Sequence, residues 1–233
     1  MPLEAEHAWP SDSGARLYVG FPTGDVWTID GTTRRRIGPT IRAGGHPASV
    51  SGTRDGARVV VTAFAEGEPL TAVYDGVSGR ELDRGMDGVT LSSVSAGGVL
   101  VGANGGRITR FDLGTLAPLA TFPAARGEIN SLQFSRDGAV LLATSNDQTV
   151  SLYDVESGTR LGDPISTAAP FIVPGFLHPD GHALAVTAQD GVALWDVLPA
   201  HLLRAACRIA GRNLTRGEWT TYLGNLDAYR TTC

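Results

Sequence analysis

Residues 134–154 read Phe134-Ser135-Arg136-Asp137-Gly138-Ala139-Val140-Leu141-Leu142-Ala143-Thr144-Ser145-Asn146-Asp147-Gln148-Thr149-Val150-Ser151-Leu152-Tyr153-Asp154. Asp137-Gly138 between apolar runs is a hairpin signal, because glycine accepts positive φ and aspartate bonds neighbouring backbone amides. Val140–Ala143 is a nearly continuous apolar run, as a strand covered on both faces requires. A polar turn follows, then a strand over Thr149–Tyr153 that runs into Asp154. Working outward, Ile129–Phe134 precedes the hairpin, and a turn at Glu156-Ser157-Gly158 leads into Thr159–Gly162. Four short strands therefore fit into one segment of roughly 40 residues, joined by turns too tight for anything but antiparallel neighbours.

The same order recurs along the chain. Apolar strands run into an aspartate at Asp30, Asp75, Asp112, Asp154 and Asp196, which are 45, 37, 42 and 42 residues apart. Upstream of each lies a turn: Ser11-Asp12-Ser13-Gly14, Thr53-Arg54-Asp55-Gly56, Ala96-Gly97-Gly98, Ser135-Arg136-Asp137-Gly138 and His178-Pro179-Asp180-Gly181. Each turn opens onto an apolar strand: Leu17–Val19, Arg58–Thr62, Val99–Val101, Val140–Ala143 and Ala183–Thr187. The 30 glycines among 233 residues fit a chain with that many turns.

A four-stranded antiparallel unit repeated every 42 residues or so is the signature of a β-propeller. A β-sandwich also turns every 8–12 residues, but gives no reason for one turn–strand–Asp order to return five times. The expectation is an all-β propeller of about five four-stranded blades over 3–197 (approximately 3–40, 46–84, 88–123, 127–166 and 170–197), with a helical extension over 198–233. The first unit uses residues 3–9 as its own inner strand, with Trp9 in the place of Phe134. The last unit shows no fourth-strand pattern, so blade five is incomplete, keeps an exposed edge, and leaves the ring open or five-bladed. Self-association through that edge is one consequence.

The units resemble WD repeats, the fourth and fifth most closely; only the fifth ends in a literal Trp-Asp, Trp195-Asp196. By that resemblance Asp147 and Asp190 are hairpin aspartates with a structural role, and Gly45-His46 carries the family's loop histidine. Few of the family's buried His–Ser/Thr–Asp–Trp networks can form here. Single-domain propellers of the family usually have about seven blades, so five units imply an open ring, a five-bladed ring or the C-terminal part of a longer propeller.

After Asp196 the pattern becomes helical. Pro199 fits a helix start, and Leu202, Leu203, Ala206, Cys207, Ile209 and Ala210 form an apolar face ended by Gly211. Thr215-Arg216-Gly217-Glu218 is a capping box for a second helix carrying Trp219, Tyr222 and Leu223 and ending at Gly224. Helices this short need a surface, and the blade-five edge or the propeller flank is the expected one. The run from Ala206-Cys207 through Ala210-Gly211-Arg212-Asn213-Leu214-Thr215 and Glu218-Trp219 to Cys233 resembles the extension that ends many actinobacterial WD-repeat signalling proteins. That resemblance implies the sensor or interaction end of such a protein, without its effector domain. Cys207 and Cys233 stand as a buried and a frayed thiol, or as a disulfide contributing about 3 kcal/mol; a bacterial cytosol argues against the bond.

Composition removes other classes. A net charge of −5, with 24 acids, 19 arginines and no lysine, argues against a nucleic-acid face. No apolar run reaches membrane-spanning length and no signal-peptide pattern opens the chain, so the expectation is a cytoplasmic protein without membrane contact. His178 and His182 share a turn but lack further metal ligands nearby. Gly102-Ala103-Asn104-Gly105-Gly106 lies between two strands, and so reads as a hairpin and not a phosphate cradle. Arg34-Arg35-Arg36 reads as a solvated outer strand. The resulting expectation is a non-catalytic platform for a protein partner, with no catalytic residues, cofactor or metal. A propeller enzyme (lactonase-like hydrolase or quinoprotein-like oxidoreductase) and a truncated remnant are the alternatives.

Overall fold

The computed structural model describes residues 5–11, 14–167, 175–178, 181–188, 191–197, 199–223, 229–231 and 233. The strands fall into five antiparallel sheets, each a meander in chain order. Sheet one comprises β1 (His7–Pro10), β2 (Arg16–Gly20), β3 (Asp25–Asp30) and β4 (Arg36–Arg42). Sheet two comprises β5 (His46–Gly52), β6 (Arg58–Ala65), β7 (Glu68–Asp75) and β8 (Glu81–Gly85). Sheet three comprises β9 (Leu91–Val94), β10 (Leu100–Asn104), β11 (Arg107–Phe111) and β12 (Pro118–Pro123). Sheet four comprises β13 (Ile129–Phe134), β14 (Val140–Ser145), β15 (Thr149–Asp154) and β16 (Ile165–Ser166). Sheet five has three strands among the described residues, β17 (Gly175–Leu177), β18 (Ala183–Ala188) and β19 (Gly191–Asp196). Five successive antiparallel sheets are consistent with the expected β-propeller, and a short helical tail follows, α1 (Pro199–Ala210) and α2 (Arg216–Leu223).

The apolar runs are continuous because each inner sheet is covered twice. On β6, Val59 and Val61 pack into a core with Tyr18 and Val26 of sheet one, while Val60 points the other way into a core with Val94 and Leu100 of sheet three. On β14, Leu141 joins Val101 and Ile108 of sheet three, and Leu142 joins Leu177, Leu184 and Val186 of sheet five. Strand alternation thus feeds two interfaces from one strand.

The first strands of successive sheets stand side by side, β1 against β5, β5 against β9, β9 against β13 and β13 against β17. Side chains reach across one repeat to the next strand's backbone. The Ser92 amide donates to Ser49 Oγ at 3.2 Å, and the Val94 amide to Ser51 Oγ at 2.9 Å. Gln133 clasps Leu177, accepting from its amide at 2.9 Å and donating to its carbonyl at 3.1 Å. No contact of comparable extent joins β17 to β1 among the described residues.

The turn between first and second strands repeats to the atom. In sheets two and four the Gly56 and Gly138 amides donate to the Thr53 and Ser135 carbonyls, both at a φ above +70° that glycine alone adopts freely. Asp55 Oδ1 accepts from Thr53 Oγ1 and the Ala57 amide, and Asp137 Oδ1 from Ser135 Oγ and the Ala139 amide. Sheet one shows the same turn bond, Gly14 to Ser11, and it fixes an offset from expectation. Pro10 pairs with Leu17 as Phe134 pairs with Leu141, so Pro10, not Trp9, occupies the Phe134 position.

The tail departs from the expected docking. No helix makes extensive contact with any sheet among the described residues. Leu202, Leu203 and Ile209 stay exposed. The tail is held instead by its own cross-links. Cys207 and Cys233 are bonded with Cα atoms 5.3 Å apart, Trp219 is buried edge-to-face with Tyr229, and the Arg216 guanidinium lies over the Tyr229 ring. A disulfide and an aromatic pair replace the core that helices this short cannot build alone.

Candidate interaction surface

The aspartates that mark the repeat are turn-builders. Asp30 Oδ1 accepts from the Thr32 and Thr33 amides and the Thr33 hydroxyl. Asp75 does the same with Val77 and Ser78, and Asp112 with Gly114 and Thr115. Asp154 takes the Ser157 amide and hydroxyl. The fourth residue after each aspartate then donates its amide to the aspartate carbonyl at positive φ: Arg34, Leu116, Gly79 and Gly158. The Thr33 amide, then its hydroxyl, holds the Asp30 carboxyl below the usual range; the Ser157 hydroxyl leads at Asp154. The sequence carries this as Asp-x-x-Ser/Thr in four units, a signal the strand reading passed over. Asp196 has Pro199 three residues on, and its carboxylate instead meets His201 Nδ1 at 2.5 Å, at the entry to α1.

Asp147 ties the opposite end of sheet four. Its Oδ2 accepts from the Arg126 and Gly127 amides, and its Oδ1 from the Thr149 amide and hydroxyl. Partial burial pushes this carboxyl up, but the Thr149 hydroxyl and Arg126 amide outweigh it and leave it lowered. Asp190 lies outside the described residues. His46 opens β5 half-exposed, with Nε2 3.4 Å from Glu6 Oε2, and His7 stands beside it. Glu6 and His7 were not singled out by sequence, because they lie far from His46 along the chain and only the adjacency of β1 and β5, strands of different sheets, brings them together. The third-strand tyrosines reach backbone carbonyls: Tyr153 donates to Ala124, and Tyr74 to Arg42 at 3.3 Å. Burial pushes the Tyr74 phenol up to about 12. Arg36 of the arginine run lies over the Trp27 ring at 4.4 Å.

Sheet five carries the most conspicuous free surface. Register puts Phe176, Ala185 and Leu194 in one row across β17, β18 and β19, with Thr187 and Val192 in the next row on the same face. Phe176 is 63% exposed, Val192 66% and Leu194 79%. The opposite face buries Leu177, Leu184 and Val186 against sheet four. Sheet five therefore has apolar side chains on both faces, as the inner sheets do, but among the described residues only one face is covered. Exposed Leu202, Leu203 and Ile209 of α1 add to the apolar surface of this end of the chain. Clustered exposure of large apolar side chains marks interaction surfaces.

Comparison with known proteins agrees with this geometry. Residues 116–154 match the model of the WD domain, G-beta repeat family. That span begins just before β12 and closes on Asp154, so the sequence repeat takes its first strand from sheet three and the other three from sheet four. The chain is 31% identical over 80 residues to "Periodic tryptophan protein 2 homolog" of Schizosaccharomyces pombe, covering 34% of this chain and 9% of that protein. It is 29% identical over 128 residues to "WD repeat domain-containing protein 83" of Rattus norvegicus, covering 54% of this chain and 40% of that protein. The chain thus spans less than half the length of either relative. Together with five repeated antiparallel sheets, these likenesses support a WD-repeat protein.

Proposed function

We propose that the protein is a non-catalytic scaffold that binds a protein partner, with the uncovered face of sheet five as its principal contact. The observation that carries the reading is the row of Phe176 and Leu194, flanked by Val192, on a sheet whose other face is core. The WD-repeat likeness supports it, since the family's repeats generally mediate protein–protein interaction. Packing of its other face on sheet four holds such a face in shape, so binding costs little ordering. No catalysis is part of this reading. Within the same proposal the chain serves bacterial signalling, a role that rests on the resemblance of the tail pattern alone.

A photo-crosslinking residue at position 194, against one at exposed Leu119 on β12, tests it in the native host. The proposal expects one defined polypeptide captured at 194 and not at 119, and competed by unlabelled protein. No adduct at 194, or equal capture at both positions, refutes it. A cytoplasmic location belongs to the proposal as well, and is checked by fractionating the native host: recovery of the chain with the cytosolic fraction supports it, and recovery elsewhere refutes it. No helix among the described residues is long and apolar enough to cross a membrane.

A further inference from the structure

Glu6, His7 and His46 place one carboxylate and two imidazoles within 4.8 Å of one another. Glu6 precedes β1, His7 opens it and His46 opens β5, so the adjacency of the two first strands creates the cluster. Glu6 Oε2 lies 3.4 Å from His46 Nε2, and the His7 and His46 rings meet edge-to-face with centroids 6.1 Å apart. Glu6 and His7 are exposed, His46 is half-exposed, and none fills a core.

Bonds of about 2.0–2.2 Å to zinc set tetrahedral neighbours roughly 3.3–3.5 Å apart. The Glu6–His46 pair already stands at that separation, and exposed side chains can close the remainder by small rotations. We infer that Glu6, His7 and His46 form a binding site for a borderline divalent transition metal, zinc above all, with the fourth position left to water. Two imidazoles with one carboxylate suit zinc, cobalt, nickel or copper and disfavour calcium and magnesium, which take oxygen ligands. The bound ion would clip the start of sheet one to the start of sheet two at a place where no backbone ladder joins them.

The test uses the tag-free full chain, stripped with chelator and dialysed against zinc. The inference expects one zinc per chain, a raised melting temperature, and cobalt spectra of a four-coordinate ion. Copper should quench tryptophan fluorescence, because the His7 and Trp9 rings are 5.6 Å apart. His7→Ala and His46→Ala should each weaken binding at least tenfold and remove the thermal shift, with far-UV circular dichroism unchanged. His178→Ala/His182→Ala should bind as the parent does. Absence of stoichiometric zinc on the parent chain overturns the inference. So does binding that survives His7→Ala/His46→Ala, or that is lost in His178→Ala/His182→Ala.

Discussion

Replacing Thr62 by valine probes the contact between successive sheets at its most exacting point. Thr62 is fully buried on β6, and its Oγ1 lies 2.9 Å from Thr71 Oγ1 on β7 and 2.7 Å from Ser92 Oγ on β9. Valine keeps the shape and removes both hydrogen bonds. Each net bond is worth about 1 kcal/mol, and leaving a buried hydroxyl unsatisfied adds to that. Thr71 and Ser92 are almost as buried as Thr62, so water does not reach them freely. The expected loss is about 2–3 kcal/mol, which for a chain of this size lowers the melting temperature by roughly 5–10 °C. Urea unfolding of Thr62→Val, Ser92→Ala and the pair gives the coupling, expected near 1 kcal/mol because the two hydroxyls touch. The coupling is informative because Thr62 and Ser92 belong to different sheets. A Thr62→Val loss under about 0.5 kcal/mol, or strict additivity with Ser92→Ala, would refute the placement of β9 against β6.

Three further outcomes follow from the same structure. Asp30, Asp55, Asp75, Asp112, Asp137, Asp147 and Asp154 all have lowered carboxyl pKa values, set by amides and hydroxyls of their own turns and, at Asp147, also by the Arg126 and Gly127 amides. The unfolded chain therefore takes up protons first on acidification; the contribution is complete above about pH 4 and is lost as pH falls through the lowered folded values. Urea midpoints should hold from neutral to mildly acidic pH and then drop steeply, and a flat profile through this range would contradict the assignment. Gly52→Ala puts a methyl 1.9 Å from Tyr18 Oη, so a loss of about 1–3 kcal/mol is expected by overpacking, partly recovered by Tyr18→Phe. Reducing Cys207–Cys233 should loosen the tail by about 3 kcal/mol, seen as a red shift of Trp219 emission, while the main calorimetric transition stays in place. A fall of that main transition would mean that the tail braces the sheets.

The repeat was readable because its signals are local. An Asp-Gly turn and a short, nearly continuous apolar run are set by neighbouring residues, and β2, β6, β10, β14 and β18 lie where the pattern puts them. What joins the sheets was not readable in the same way. Ser49, Ser51 and Gln133 are ordinary polar residues until β9 and β17 come beside them, one repeat further along the chain. Gly52 shows the same limit: it stands where Phe134 stands in sheet four, and its lack of a side chain makes room for Tyr18 from the preceding sheet. The tail misled for a related reason. An apolar helix face predicts a partner, but among the described residues the segment is anchored by the cross-link to Cys233 and the Trp219–Tyr229 pair instead. In the sequence the face of sheet five proposed for interaction is legible only as an open edge. That the sheet is also apolar on its uncovered face required the register of β17, β18 and β19.

The central claim is that residues one repeat apart lie on adjacent first strands. Nuclear Overhauser contacts on selectively labelled protein test it most directly. The account predicts cross-peaks from the Val94 amide to the Ser51 side chain, and from the Leu177 amide to the Gln133 side chain. If those amides instead show contacts only within their own sheets, the five units are not stacked side by side and the propeller is wrong.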